Sequence, residues 1–134
     1  MKINFIKLAA VVGMLAVIFG AFGAHSLQDK ISVESIKIFE TGVRYHFYHC
    51  FAILFVGLYQ QQFSTTQDKL LRYAGWAFFL GILLFSGSLY LLACRSWFGI
   101  AHWKFLGPLT PIGGLCFIIG WVLLFFQPRP SDIK

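Results

Sequence analysis

The side chains able to do chemistry crowd into one stretch, Glu40-Thr41-Gly42-Val43-Arg44-Tyr45-His46-Phe47-Tyr48-His49, with His25 upstream. In a helix Glu40 and Arg44 stand four apart and would form an ion pair, while Tyr45 and His49 share an adjacent face. His46 and His49, three apart, would reach one metal ion, with His25 as a third ligand and Glu40 as a poorly aligned fourth. An isolated His-x-x-His is a weak metal signature, however, and aromatic residues with polar tips are what a lipid–water interface selects. The favoured reading of His25, Glu40, Arg44, Tyr45, His46 and His49 is structural or interfacial hydrogen bonding. A protonation or polar-ligand site ranks second and a metal last. His102, between Ala101 and Trp103, reads as an interfacial loop residue. No cofactor motif is completed: Gly20-Ala21-Phe22-Gly23-Ala24 has no preceding strand and makes neither GxGxxG nor GK[ST].

The chain around these residues is an unusual solvent for charge. Of 134 residues 58% are hydrophobic, 16 are Phe, and only 12% are charged. A water-facing core in so short a chain cannot hide that much apolar surface, so the excess must face lipid. The 11 Lys and Arg give a net charge of +6 but never cluster, which argues against nucleic acid and for helix-end anchoring at phospholipid head groups. Cys50, Cys94 and Cys116 lie far apart in or beside apolar runs, as buried structural thiols do.

A spanning helix needs about 20 mostly apolar residues, because each adds about 1.5 Å against about 30 Å of hydrocarbon. Four stretches meet this need, at about 8–24, 45–59, 73–94 and 105–126, and a short amphipathic segment at about 32–42, started by Ser32, is expected to lie in the interface and bend into the second. The first is flanked by Lys2 and Lys7. The second is the shortest and most polar. The fourth is expected to stop at Gln127-Pro128-Arg129-Pro130 and to open through Gly107-Pro108-Leu109-Thr110-Pro111; if it starts earlier, Pro111 interrupts it. Polar loops are expected at Gln60–Arg72 and Arg95–Lys104. The first stretch also has the outline of a cleavable signal peptide, but Ala9, Gly13, Ala16, Gly20 and Ala24 repeat every three or four residues, a helix-packing pattern such a peptide has no use for. Gly23, Ser86, Gly87, Ser88, Gly113, Gly114 and Gly120 are further close-packing candidates. With four spans both termini share one side, and six basic residues against five leave orientation undecided. The expected fold is an all-α, polytopic bundle of four transmembrane helices in one domain.

Four motifs stand out along the chain, Gly20-Ala-Phe-Gly-Ala-His25, Glu40-Thr-Gly-Val-Arg-Tyr-His46 with His49, Phe85-Ser-Gly-Ser-Leu-Tyr90, and Gly107-Pro-Leu-Thr-Pro-Ile-Gly-Gly114 with Gly120-Trp121. In this order they resemble the YgdD-like family of small bacterial inner-membrane proteins, similar to eukaryotic transmembrane protein 256. That resemblance implies four helices, a bacterial inner membrane, a retained first helix, and no assigned activity, cofactor or substrate.

Two functional readings follow. The first is a non-enzymatic accessory or scaffold protein whose small-residue faces pack against a second copy or a larger membrane protein. The alternative is a small channel, carrier or lipid-binding protein with a polar mouth at His25, Arg44 and His49. A pump would need more polar groups at the bilayer midplane than Ser86, Ser88 and Cys116. An enzyme would need paired carboxylates or a nucleophile with its base, which are missing from the pattern.

Overall fold

The computed structural model describes residues 4–63 and 69–128. Lys2 and the stop at Arg129-Pro130 lie outside them. All regular structure among these residues is helical: α1 (Phe5–His25), α2 (Val33–Gln62), α3 (Lys69–Cys94) and α4 (Leu106–Phe125). The helices α1, α3 and α4 are each long and apolar enough to cross a bilayer.

Local chemistry sets the ends. The Asn4 side chain accepts from Ile6 N (3.0 Å) and Lys7 N (3.1 Å), satisfying donors that a helix start leaves free. Ser32 does the same for α2 through Ser35 N at 3.2 Å. The segment expected to lie in the interface and bend into the second span is continuous with it, residues 33–62 forming a single helix of 30 residues. No proline interrupts them, and Gly42 is filled from outside by Tyr90 and Leu89. The expected loop at Gln60–Arg72 is shorter on both sides, since α2 continues to Gln62 and α3 starts by Lys69. Leu106 opens α4, so Pro111 falls inside the helix and leaves the Gly107 carbonyl without its usual donor. Between Arg95 and Leu106, Gly99 adopts φ +68°, and Lys30 Nζ lies 4.9 Å from the Trp97 ring centre.

Packing follows from small residues meeting large ones. α2 runs antiparallel to α1 along all of it: Gly57 lies against the Ile6 backbone, the Cys50 thiol donates to the Ala9 carbonyl (3.2 Å), Gly20 faces Val43, and Gly23 seats the Phe39 ring. α3 and α4 interlock reciprocally, Gly81 receiving Phe117 and Gly120 receiving Phe78. Gly113 approaches the backbone of Leu84 and Phe85 so closely that a Cβ would collide with it. Gly13, Ser86 and Ser88 are also packed inside the bundle, whereas Gly87 is not a contact, since a Cβ there would meet nothing within 4 Å. The main core joins Phe5, Val12, Ile53, Val56, Leu71, Phe78 and Phe117, and a second cluster around Leu27, Phe39, Ala93 and Cys94 closes the end that carries His25. Cys116 is half-buried.

One feature of α3 has no counterpart in the pattern of its residues. Ile82–Ser86 form a π-helical turn, in which Gly87 N–H reaches back to the Ile82 carbonyl. Such a turn inserts an extra residue into the helix and loosens its carbonyls. Ser88 compensates, its hydroxyl donating to the Phe85 carbonyl at 2.9 Å. That hydroxyl has a single proton, so the 2.7 Å contact with Thr110 Oγ1 on α4 has Thr110 as donor.

Gly113→Ala should destabilise the bundle by about 1–3 kcal/mol through overpacking. Gly87→Ala should stay within about 0.5 kcal/mol of the parent. Reversible unfolding in detergent micelles compares the two.

Candidate functional site

His49 occupies the junction of three helices. It projects from the buried face of α2 and is 5% exposed. Its Nδ1 lies 2.8 Å from the Tyr45 carbonyl, one turn back on the same helix, and a carbonyl can only accept, so Nδ1 carries the proton. The other nitrogen, Nε2, accepts from the indole N–H of Trp121 on α4 at 3.3 Å. A tryptophan N–H is donor only, so the two bonds together require the neutral Nδ1–H tautomer. The ring lies flat on Phe117, centres 3.4 Å apart and planes within 4°, and leans on Phe78 from α3. Every polar atom of His49 is therefore used.

His46, three residues earlier, turns to another neighbour. Its Nδ1 pairs with the Tyr90 hydroxyl of α3 at 3.0 Å, and Phe19 of α1 stacks on Tyr90. The residue is 4% exposed, and Nε2 is buried with no hydrogen-bond partner. Ser86 Oγ, fully buried in the π-turn, has none either. The two histidines thus reach different helices, and their outer nitrogens do not converge.

The remaining candidates lie at the surface. Glu40 and Arg44 are both exposed and do not form the expected ion pair. His25 is exposed at the end of α1. Tyr45 is half-exposed and packs on Phe85, with ring centres 4.7 Å apart. Among the described residues no group of three or more His, Cys, Asp or Glu is arranged to hold a metal ion.

What the arrangement creates is a groove. α2 and α4 are held apart, and only long side chains bridge them: the His49–Phe117 stack, the Trp121 bond and the Tyr45–Phe117 contact. The space beside this bridge is about 880 Å³. Tyr45, Tyr48 and His49 line it from α2, Phe85 from α3, and Pro111, Gly114, Leu115, Phe117, Ile118 and Trp121 from α4. Gly114 lines it beside the Phe85 ring, where a Cβ would make ordinary contact at 3.7 Å. Sequence reasoning singles out Tyr45 and His49 but not their groove partners Trp121 and Phe117, nor Tyr90, the partner of His46, and Thr110, the partner of Ser88. A Trp or Tyr in mid-span needs a partner for its polar tip, and that need was the available signal.

An all-helical bundle with three apolar spans and a polar helix threaded among them defines an integral membrane protein. The comparisons with known proteins agree. Residues 19–114 match the family described as protein of unknown function DUF423. UPF0382 membrane proteins align over nearly the whole chain. One from Staphylococcus aureus is 45% identical over 120 residues, covering 90% of each chain. Another from Staphylococcus haemolyticus is 42% identical over 123 residues, covering 92% of this chain and 93% of its own. A third, from Bacillus subtilis, is 41% identical over 120 residues, covering 90% and 92%. The chain belongs to this family of small membrane proteins. No solved structure matches it.

Trp121→Phe should cost about 1 kcal/mol, the scale of an interhelical hydrogen bond in a membrane protein. His49→Ala should cost more, about 2–4 kcal/mol, because the stack on Phe117 and its volume go too. Nitrogen NMR should report His49 Nδ1 as protonated and Nε2 as a hydrogen-bond acceptor. An Nε2–H signal would contradict the geometry.

Proposed function

We propose that this chain is a four-span, non-catalytic protein of the bacterial cytoplasmic membrane that holds a lipid acyl chain in the groove between α2 and α4. The observation that carries the reading is the groove's floor. His49 spends both nitrogens on Tyr45 and Trp121, so its imidazole offers a visitor no free hydrogen bond, and the lining around it is mostly aromatic and aliphatic. An apolar chain loses nothing there, whereas a polar solute would leave its own groups unsatisfied.

The fourth span is α2 itself. Its contacts with α1 run from Phe39 to Gly57, 18 residues or about 27 Å of rise, close to the hydrocarbon thickness. A helix that stays beside a spanning helix for that distance crosses with it. Its first residues, Val33 to Lys37, extend beyond these contacts and suit the interface. The scaffold reading drew on surplus small-residue faces, and that support weakens because Gly13, Gly20, Gly23, Gly113 and Gly120 face neighbours inside the bundle. The polar-mouth version of lipid binding is narrowed too, as His25 and Arg44 do not line the groove.

Two measurements test this. Cysteines introduced at Ser35 and Gln61, with the native three replaced by alanine, should react with an impermeant maleimide from opposite sides of the membrane; labelling from the same side refutes the fourth span. Native mass spectrometry of mildly extracted protein should show one retained phospholipid. Gly114→Leu, which fills the groove, should remove at least four-fifths of that adduct without lowering the melting temperature.

A further inference from the structure

We infer that His46 and Ser86 hold one ordered water molecule inside the bundle, where α2 meets the π-turn of α3. Neither residue lines the groove between α2 and α4, so this site is separate from the lipid reading.

Among the described residues three buried side-chain atoms lack a hydrogen-bond partner: His46 Nε2, Ser86 Oγ and Gln127 Oε1. Gln127 lies past the end of α4. The other two fall at one level of the interior. Tyr45, next to His46 on α2, packs on Phe85, next to Ser86 on α3, with ring centres 4.7 Å apart. The Tyr90 hydroxyl that meets His46 Nδ1 at 3.0 Å stands one helical turn from Ser86 on the same stripe of α3. His46 is 4% exposed and Ser86 0%, so neither reaches the surface. Two such groups left unmade are costly, and a single buried water, which makes about three hydrogen bonds, satisfies both.

The π-turn explains why Ser86 is available. A serine inside a helix can turn its hydroxyl back to the carbonyl four residues earlier. For Ser86 that is the Ile82 carbonyl, which already accepts from Gly87 N–H. Ser88 keeps a backbone partner in Phe85, whereas Ser86 has none.

Proton accounting then sets the chemistry of the ligand. Among the described hydrogen bonds the Tyr90 hydroxyl has Nδ1 of His46 as its one partner, so Tyr90 donates there and the ring proton of His46 sits on Nε2. A site that presents N–H beside O–H repels a cation and suits a neutral oxygen. The water accepts from Nε2–H and from Ser86 O–H, and it donates to the Val12 carbonyl of α1, which faces the imidazole outside direct bonding geometry. One molecule thereby joins α1, α2 and α3. His46 and His49, three residues apart, carry their protons on opposite nitrogens.

The first test is proton-detected NMR of the full chain in lipid bilayers with nitrogen-labelled histidine. His46 should appear as Nε2–H and that proton should receive magnetisation from water. An Nδ1–H tautomer at His46, or an Nε2–H that receives none, overturns the inference. The second test is Ser86→Ala, followed by thermal unfolding in detergent micelles. Removing a buried hydroxyl that bonds to nothing should raise the melting temperature, whereas removing one that holds a bridging water should lower it, by about 3 °C. An unchanged or higher melting temperature overturns the inference. In a His46→Phe background, where the water has lost its donor, Ser86→Ala should have less than half that effect. An equal drop there places the Ser86 bond elsewhere and refutes the bridge.

Discussion

A hydrogen-bonding group shut inside an apolar bundle has no water to turn to, and the rest of this structure is arranged around that constraint at His49. The imidazole is admitted to the apolar interior because the backbone of its own helix takes one nitrogen and an indole from α4 takes the other. The first bond fixes the imidazole on α2 and the second ties it to α4, which turns the face of α2 carrying Tyr45 and His49 toward that helix. The stack on Phe117 fixes how near α4 can come. The space between the two helices is thus a result of polar satisfaction as much as of packing.

The other contacts follow a simpler rule in which a missing side chain on one helix receives a ring from another. Gly81 with Phe117 and Gly120 with Phe78 make the rule reciprocal between α3 and α4, so neither helix can slide without unseating both rings. Gly75 with Phe5 and Gly42 with Tyr90 tie α1 and α2 to α3 in the same way. Polar pairs are then added where the backbone is disturbed. Ser88 and Thr110 sit beside the π-turn, and the Tyr59 hydroxyl reaches the Pro128 carbonyl where the chain leaves α4.

Much of this was legible in the residues. Length and hydropathy located α1, α3 and α4 to within a few positions, because lipid demands a long apolar run and little else resembles one. The Ala and Gly spacing of α1 named the face that meets α2 at Ala9, Gly13, Ala16 and Gly20, while Ala24 is exposed. The extent of α2 was not legible, since Glu40, Arg44, His46 and His49 interrupt its apolar run, and the partners that accommodate the two histidines lie on other helices. The histidines were found, but the metal geometry open to them on an isolated helix gave way to tertiary neighbours 44 and 72 residues distant in sequence. Gly87 shows the opposite error, a small residue in a Ser-Gly-Ser motif whose missing side chain faces open space and no neighbouring helix. The π-turn leaves no compositional trace, because it answers to the fit between the two halves of α3.

That turn acts as a phase adjuster. An extra residue rotates everything after it by roughly a quarter to a third of a turn about the helix axis. Below it, Phe78 and Gly81 mesh with α4; above it, Tyr90 meshes with α2. An uninterrupted α-helix could satisfy either set of neighbours, not both. Losing a single codon anywhere in Ile82–Ser86 would therefore act over a distance, turning one half of α3 away from its partners well beyond the contacts that Leu84 and Phe85 make themselves.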